Sequence, residues 1–307
     1  DLTVTSRMGF KTYSDKGKTF SPIVDYGPNK VFNTSRSTVS QSKNQYDSYT
    51  WDTFATYKKS IADKHNLEAT VGTTVIKNWG DGLFATGFDV PNNSWDFADI
   101  ALTTGTSDAK ENGSYTYDNR LLSYFGRLQY DFKGKYLLSA MIRRDGSSAF
   151  AKDNRIDYFK SVTAGWKISD ENFLKDSEVI DFLKIRGSYG TLGNLVGNDL
   201  YRAALSGEAT YVFDGALTNG VANGPIANAN AKWETAEKLD IGLDAKFFGN
   251  KLEIVADYFL EDRINLLVPS LPISGIFGAT APGSGSPTVN AGTTRSEGLE
   301  FLINYSD

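Results

Sequence analysis

The chain has 307 residues, a net charge of −5 and no cysteine, with 40% hydrophobic and 13% aromatic residues. These figures exclude disulfide staples, cysteine metal sites, thiol nucleophiles and a basic surface suited to nucleic acid. No run approaches the ~20 apolar residues of a membrane-spanning helix, but a spanning β-strand needs only about 9–11 residues with every second one apolar.

With 29 glycines, 8 prolines and a mean hydropathy of −0.34, the composition suits an all-β protein with many turns. Asp1-Leu2-Thr3-Val4 shows no charged, apolar and cleavage regions of a signal peptide and reads as mid-strand. Ten strong strand candidates follow, because apolar residues recur with a period of two. Over 2–12, Leu2, Val4, Met8 and Phe10 alternate with Thr3, Thr5, Arg7 and Lys11. Residues 13–46 are polar and read as a long loop. Over 47–58, Tyr49, Trp51, Ala55 and Tyr57 share a face, a short turn spans Ser60 to Lys64, and His65, before the next strand, is read with that turn. Over 66–77, Leu67, Ala69, Val71 and Val75 oppose Asn66, Glu68, Thr70 and Thr74, before a second long loop at 79–114.

The fourth strand, 117–132, sets Leu122, Tyr124, Leu128, Tyr130 and Phe132 against Ser123, Arg127, Gln129 and Asp131. Lys133-Gly134-Lys135 turns it into the fifth, where Tyr136, Leu138, Ala140 and Ile142 oppose Ser139 and Arg143. Asp145-Gly146 is a turn signal. In the sixth, Val162, Ala164, Trp166 and Ile168 alternate with Ser161, Thr163, Gly165 and Lys167. A connector of helical character, Ser169 to Asp181, leads to the seventh, with Leu183, Ile185 and Tyr189 against Lys184, Arg186 and Ser188. Residues 192–231 form a third long loop with a small hairpin around Thr210 to Phe213. The eighth, 233–247, sets Leu239, Ile241, Leu243, Ala245 and Phe247 against Asp240, Asp244 and Lys246. Gly249-Asn250 is a two-residue hairpin signal. The ninth, 251–266, sets Leu252, Ile254, Ala256 and Tyr258 against Glu253, Asp257 and Glu261. Pro269, Pro272, Pro282 and Pro287 mark a fourth long loop, 267–293, before Leu299, Phe301, Ile303 and Tyr305 end the chain.

Tight and long joints alternate. In an up-and-down antiparallel sheet, alternate joints lie at one end, so one end has short turns and the other long loops, as in outer-membrane barrels. Aromatic residues fall on the apolar face towards both strand ends, as interfacial girdles would. Charged residues recur through mid-strand on the opposite phase, which suits a water-filled lumen. The alternative is a soluble or surface β-sandwich that binds carbohydrate or mediates adhesion. It requires two packed sheets with the aliphatic phase inside.

No enzyme constellation stands out. A lone His65 rules out a multi-histidine zinc site, and a surface turn residue is the simpler role for it. Carboxylates are abundant, so a glycosidase-type pair stays open on composition, but they follow strand alternation and loops. An outer-membrane enzyme barrel needs a constellation that is not found, and no cofactor or metal is implied. Gly283-Ser284-Gly285-Ser286 lacks the Lys-Ser/Thr of a phosphate loop and reads as a flexible segment. Asp145-Gly146-Ser147-Ser148 has the residues for a cation or ligand site, though a turn at a strand end is favoured. In 79–114, Trp79, Phe84, Phe88, Trp95 and Phe97 exceed what a solvated loop needs. They are candidates for contact with substrate sugars or a partner lipoprotein, or for packing within the protein itself.

A series of short motifs then points to a family. Arg144-Asp145-Gly146-Ser147-Ser148-Ala149-Phe150, Asn154-Arg155, Phe159, Gly165-Trp166, Ile168-Ser169 and Glu171-Asn172-Phe173 resemble the SusC/RagA family of TonB-dependent outer-membrane transporters of Bacteroidota. Ser188-Tyr189-Gly190, Gly193-Asn194, Trp233-Glu234-Thr235, Ile241-Gly242-Leu243-Asp244 and Gly298-Leu299-Glu300 continue the resemblance in family order, closely over 120 to 307. Phe159-Lys160-Ser161 departs from it, since the family usually has proline in the middle. The resemblance implies an all-β, antiparallel, up-and-down transmembrane β-barrel, with about ten strands here of about 22. Residues 1–307 would be a partial barrel domain, an internal portion of a larger polypeptide, with the plug and TonB box outside this chain. The implied activity is energised import of an oligosaccharide or peptide. The implied partners are a SusD-like surface lipoprotein on extracellular long loops, TonB acting through the plug, and outer-membrane lipid.

Overall fold

The computed structural model describes residues 1–105, 110–195, 197, 199–206, 210–269, 271–272, 274, 276 and 284–307. Pro282 and Gly283, singled out above, lie outside the described residues. Among the described residues, no helix is long and apolar enough to cross a membrane.

Ten long strands form one antiparallel up-and-down sheet. They are β1 (Leu2–Ser21), β2 (Thr38–Ile61), β3 (His65–Phe88), β4 (Glu111–Phe132), β5 (Tyr136–Ser147), β6 (Ile156–Lys167), β7 (Ile180–Asn194), β12 (Glu234–Phe247), β13 (Leu252–Val268) and β14 (Val289–Tyr305). Between β7 and β12 lie β8 (Leu205–Ser206), β9 (Thr210–Phe213), β10 (Ala216–Asn219) and β11 (Ala222–Asn223). β9 pairs with β10, as the sequence predicted around Thr210, and β8 pairs with β11. The chain divides into two compact units. One comprises Asp1–Arg7, Asp52–Val75 and Leu121–Asp307, the other Met8–Trp51 and Ile76–Arg120.

Several boundaries differ from those predicted. The stretches 13–46 and 79–114 are not wholly loop, since β1, β2, β3 and β4 run well into them. At 24 residues, β2 and β3 are each about 80 Å long, far beyond the ~9–11 residues needed to cross lipid. The extra length of β2, 38–46, is largely polar, and that of β3, 78–88, mixes Trp79, Leu83, Phe84 and Phe88 with glycines and polar residues, so no clean apolar period marks either. Asp145-Gly146 does not turn: Leu122 pairs with Gly146 and Gly146 with Ile156, inside the sheet. The connector after β6 holds only a 3-10 turn, Ile168–Asp170, followed by further turns. His65 is the first residue of β3 rather than a turn residue, and its Nδ1 lies 2.7 Å from the Tyr130 hydroxyl.

The tight joints owe their geometry to left-handed residues, which let two twisted strands meet. Lys133 and Gly134 have φ of 55° and 69°, and the Asp131 carboxylate accepts the Gly134 N–H at 2.6 Å. Between β12 and β13, Phe248, Gly249 and Asn250 all have positive φ, so this joint is wider than a two-residue hairpin.

Burial is inverted relative to a soluble protein. On β5, Tyr136, Leu138, Ala140 and Ile142 are exposed, while Arg143 is half-buried and Asp145 and Ser147 are buried. A β-sandwich would cover the aliphatic phase, so that alternative falls. On β13 the outer phase stays apolar from Leu252 to Leu260, about the 9-residue height of a hydrocarbon core. It then reaches Asp262, which Arg295 of β14 holds through two hydrogen bonds of 2.6 Å. At the short-turn end, Phe132, Tyr136 and Trp166 form a row of rings, the last two stacked at 9° and 6.3 Å. This is how a lipid-facing sheet with an aromatic girdle is built.

Candidate functional site

The inner face of the first unit is a wall of paired charges. Arg186 on β7 meets Asp257 at 2.6 Å, Asp240 at 3.1 Å and Asp244 at 3.3 Å. The register sets Arg186, Gly242 and Asp257 in one row across β7, β12 and β13. A Cβ on Gly242 would collide with both the guanidinium and the Asp257 carboxylate, so only glycine leaves the row open. Nearby, the Arg143 Nε donates to Asp145 at 2.7 Å and its NH2 to Ser123 Oγ at 2.8 Å. Asp52 accepts from Thr74 at 2.8 Å and from Arg7 at 2.9 Å. Neutralising pairs let many charges line one polar face without net repulsion.

The motifs scattered along the sequence converge. Phe150, Phe159, Ala231, Trp233 and Leu267 form one buried cluster. The Trp233 Nε1 donates to the Arg155 carbonyl at 3.2 Å, and Phe159 packs edge-on to Trp233 with ring centres 5.7 Å apart. The Phe159 ring occupies the space a side chain on Gly193 would take. Glu234 accepts from Asn194 at 2.8 Å and from the Leu267 N–H at 2.7 Å. These residues latch the loops after β5 and β7 to the end of β13. Asp145-Gly146-Ser147-Ser148 belongs to this wall, with Asp145 already held by Arg143. Gly285 is likewise fixed, its carbonyl accepting from Ile226 N–H at 3.0 Å.

At the opposite strand ends, Glu171 is a clasp. It accepts from the Tyr136 hydroxyl at 2.7 Å, the Trp166 Nε1 at 3.2 Å and the Lys135 ammonium at 3.2 Å. These bonds, that from Tyr136 first, hold its pKa below the ordinary 4.5.

The five aromatic candidates all lie in the second unit. Trp79 on β3 packs against Phe10 (6.2 Å) and Tyr49 (6.0 Å), residues of the apolar phases of their strands. Phe84 lies over Gly113. Phe88 carries the Arg36 guanidinium at 4.2 Å, and Arg36 also pairs with Asp89 at 2.8 Å. Trp95, 54% exposed, carries the Lys18 ammonium at 4.7 Å, and Phe97 is exposed beside it. Trp79, Phe84 and Phe88 are strand residues of β3, Trp95 and Phe97 belong to a 3-10 turn, and no contact among the described residues draws the five into one cluster.

Sequence reasoning passed over a row of tyrosines in this unit. Tyr13 stacks on Tyr46 at 5.8 Å and 24°, and Tyr46 lies 6.4 Å from Tyr117. The Tyr46 and Tyr115 hydroxyls are 3.3 Å apart, Tyr115 donates to Asn44 Oδ1 at 3.0 Å, and the Asn44 amide donates to Asp15 at 3.0 Å. The alternation Gly80-x-Gly82 and Tyr115-x-Tyr117 is the signal for it, readable once both segments are strands.

A lipid-type outer face backed by a charged inner face on one up-and-down sheet defines a transmembrane β-barrel with a polar interior. The sequence profile described as TonB dependent receptor-like, beta-barrel, matches residues 4–306, and the chain belongs to that family. It is 34% identical over 253 residues to TonB-dependent receptor P3 of Formosa agariphila, covering 82% of this chain and 24% of the relative. It is 33% identical over 261 residues to TonB-dependent receptor SusC of Bacteroides thetaiotaomicron, covering 78% and 25%. The chain thus spans about a quarter of the length of these relatives. Among solved structures it resembles the RagAB peptide transporter with a TM-score of 0.80 at 24% identity, over 98% of this chain and 32% of that one, a likeness of fold.

Proposed function

We propose that residues 1–307 form part of the channel wall and mouth of a SusC-type TonB-dependent importer of oligosaccharides or peptides in the outer membrane. The long loops face the cell exterior and a SusD-like surface lipoprotein caps them. TonB supplies energy through a plug and TonB box outside these residues. The observation that carries this is the inverted burial of the sheet, in which aliphatic side chains are exposed and the Arg186, Arg143 and Asp52 networks line the other face. A solute-conducting wall needs that arrangement, and family membership supports the same conclusion. In this reading Phe84, Phe88, Trp95 and Phe97 supply contacts to substrate or lipoprotein. Trp79, grouped with Phe10 and Tyr49, serves the lipid interface.

The test is uptake of labelled oligosaccharides and labelled peptides by cells carrying or lacking the gene for the full-length protein. Deletion is expected to abolish uptake of one class, and a protonophore to do the same. Uptake of both classes unchanged by deletion would overturn the proposal.

A further inference from the structure

We infer that Tyr13, Tyr46, Tyr115 and Tyr117 form a binding platform for uncharged pyranose rings. The inference rests on the importer reading and narrows its substrate to neutral oligosaccharides. Tyr13 on β1 follows the phase of Thr3, Thr5 and Arg7, and Tyr46 on β2 that of Asp52. Tyr115 and Tyr117 on β4 follow the phase of Ser123. Each therefore shares its strand's polar phase, which faces away from the apolar side.

The strand beneath them is shaped for the rings. A Cβ on Gly82 would collide with the Tyr115 ring and the Asn44 side chain, and one on Gly80 would collide first with the Gln45 carbonyl and then come within 2.8 Å of Tyr117. Glycine weakens a strand interior, and it recurs where another group must approach the backbone closely. Two glycines at alternate positions of β3 let two rings of β4 lie across it towards Tyr46. Phe84 over Gly113 extends the same device by one ring.

A ring row serving only packing has no use for hydroxyls, whereas this row is framed by polar groups. Tyr115, Asn44 and Asp15 form a hydrogen-bonded chain, while Tyr13 and Tyr115 stay 55% and 43% exposed. The electron-rich ring face attracts the partly positive C–H face of a pyranose, and the amide, carboxylate and phenols suit its hydroxyls. Asp15 is the one charged member of this hydrogen-bonded frame, and it repels uronic or sulfated sugars.

The test is calorimetric titration of the purified full-length protein with neutral hexasaccharides (gluco-, manno- and xylo-), a hexagalacturonate and a decapeptide. A neutral hexasaccharide is expected to bind, with Tyr13→Ala and Tyr115→Ala each weakening it about tenfold. Tyr115→Phe, which keeps the ring, should stay within about threefold, and Asp15→Asn should admit hexagalacturonate. The platform is overturned if no neutral hexasaccharide binds, or if the alanine variants, intact by heat-modifiable migration, bind like the parent. It is also overturned if the decapeptide alone binds. Uptake in cells separates the two ideas: oligosaccharide import that the tyrosine variants leave untouched sinks the platform and leaves the importer standing. Loss of neither sugar nor peptide uptake on gene deletion sinks the importer, while binding to purified protein still judges the platform.

Discussion

Arg186 on β7 reaches Asp257 on β13 at 2.6 Å across an intervening strand. It does so because the residue between them, Gly242, has no side chain. One guanidinium thereby ties three strands together and neutralises part of an acidic patch that includes Asp240 and Asp244.

Gly242→Ala is expected to break this row. The added methyl collides with both partners, and overpacking of this kind costs about 1–3 kcal/mol. Thermal unfolding of the full-length protein in detergent should show a lower midpoint, with Gly187→Ala, where a Cβ meets only ordinary contacts, as the mild control.

Arg186→Gln leaves three carboxylates facing one another without their cation. Arg186 is 29% exposed and Asp257 17%, so the loss should fall below the ~3–5 kcal/mol of a fully buried pair, at roughly 1–3 kcal/mol. Because the remaining defect is mutual repulsion, added salt should recover part of the stability; an Arg186→Gln variant indifferent to salt would contradict this.

The two faces of β5 can be told apart by one substitution each. Leu138→Arg places a cation in the exposed apolar phase, which costs about 2–4 kcal/mol at the bilayer midplane. Ser139→Arg places it on the polar phase, where it loses the 3.3 Å bond from Arg127 and sits beside that cation but stays in water, and it should cost clearly less. Folding yields into lipid vesicles should fall sharply for the first variant alone.

Glu171 sets a pH dependence at the short-turn end. Its pKa is depressed below 4.5 by the Tyr136 hydroxyl, then Trp166 and Lys135. A depressed carboxylate stabilises the folded state above its unfolded pKa, and the contribution is lost as pH falls through the folded value. Trp166 fluorescence should therefore change with a midpoint below pH 4.5. In Glu171→Gln that transition should vanish.

Gly193→Ala is expected to push Phe159 off Trp233 and loosen the latch that holds the loops after β5 and β7 to the end of β13. The measurable result is faster proteolysis within 224–231, with protection of the ten long strands unchanged. Equal proteolysis in parent and variant would show that the latch does not depend on this contact.

Where the outer face meets lipid, the period-two pattern was readable directly: β5, β6 and β13 fall where Leu138, Val162 and Ile254 alternate with polar neighbours. The same pattern gave their facing, because lipid accepts only apolar side chains on one phase. It failed at Tyr13, Tyr46 and Gly80, which lie on strand extensions that the sequence placed in loops, and at Tyr115, just outside the predicted fourth strand. There no hydrocarbon selects an apolar phase, and backbone pairing alone keeps the strand going. His65 was misplaced for a related reason, since a tight turn was read one residue too long.

The candidate aromatics were visible by type but not by direction. Trp79 and Phe84 look alike in a presumed loop. On a strand they lie on opposite phases, one with Phe10 and Tyr49 and the other over Gly113. The convergence of Phe159 on Gly193 and Glu234 on Asn194 had no local signal, because each partner lies more than thirty positions away in the chain.

By itself the sequence determined an all-β chain with a lipid-compatible phase, alternating short and long joints, and motifs of one family, because side-chain period and turn chemistry are local properties. Only the tertiary structure decided which glycines open the wall, which carboxylate meets Arg186, and that four tyrosines form one row. Those depend on strand register, which brings distant residues side by side and which no local pattern encodes.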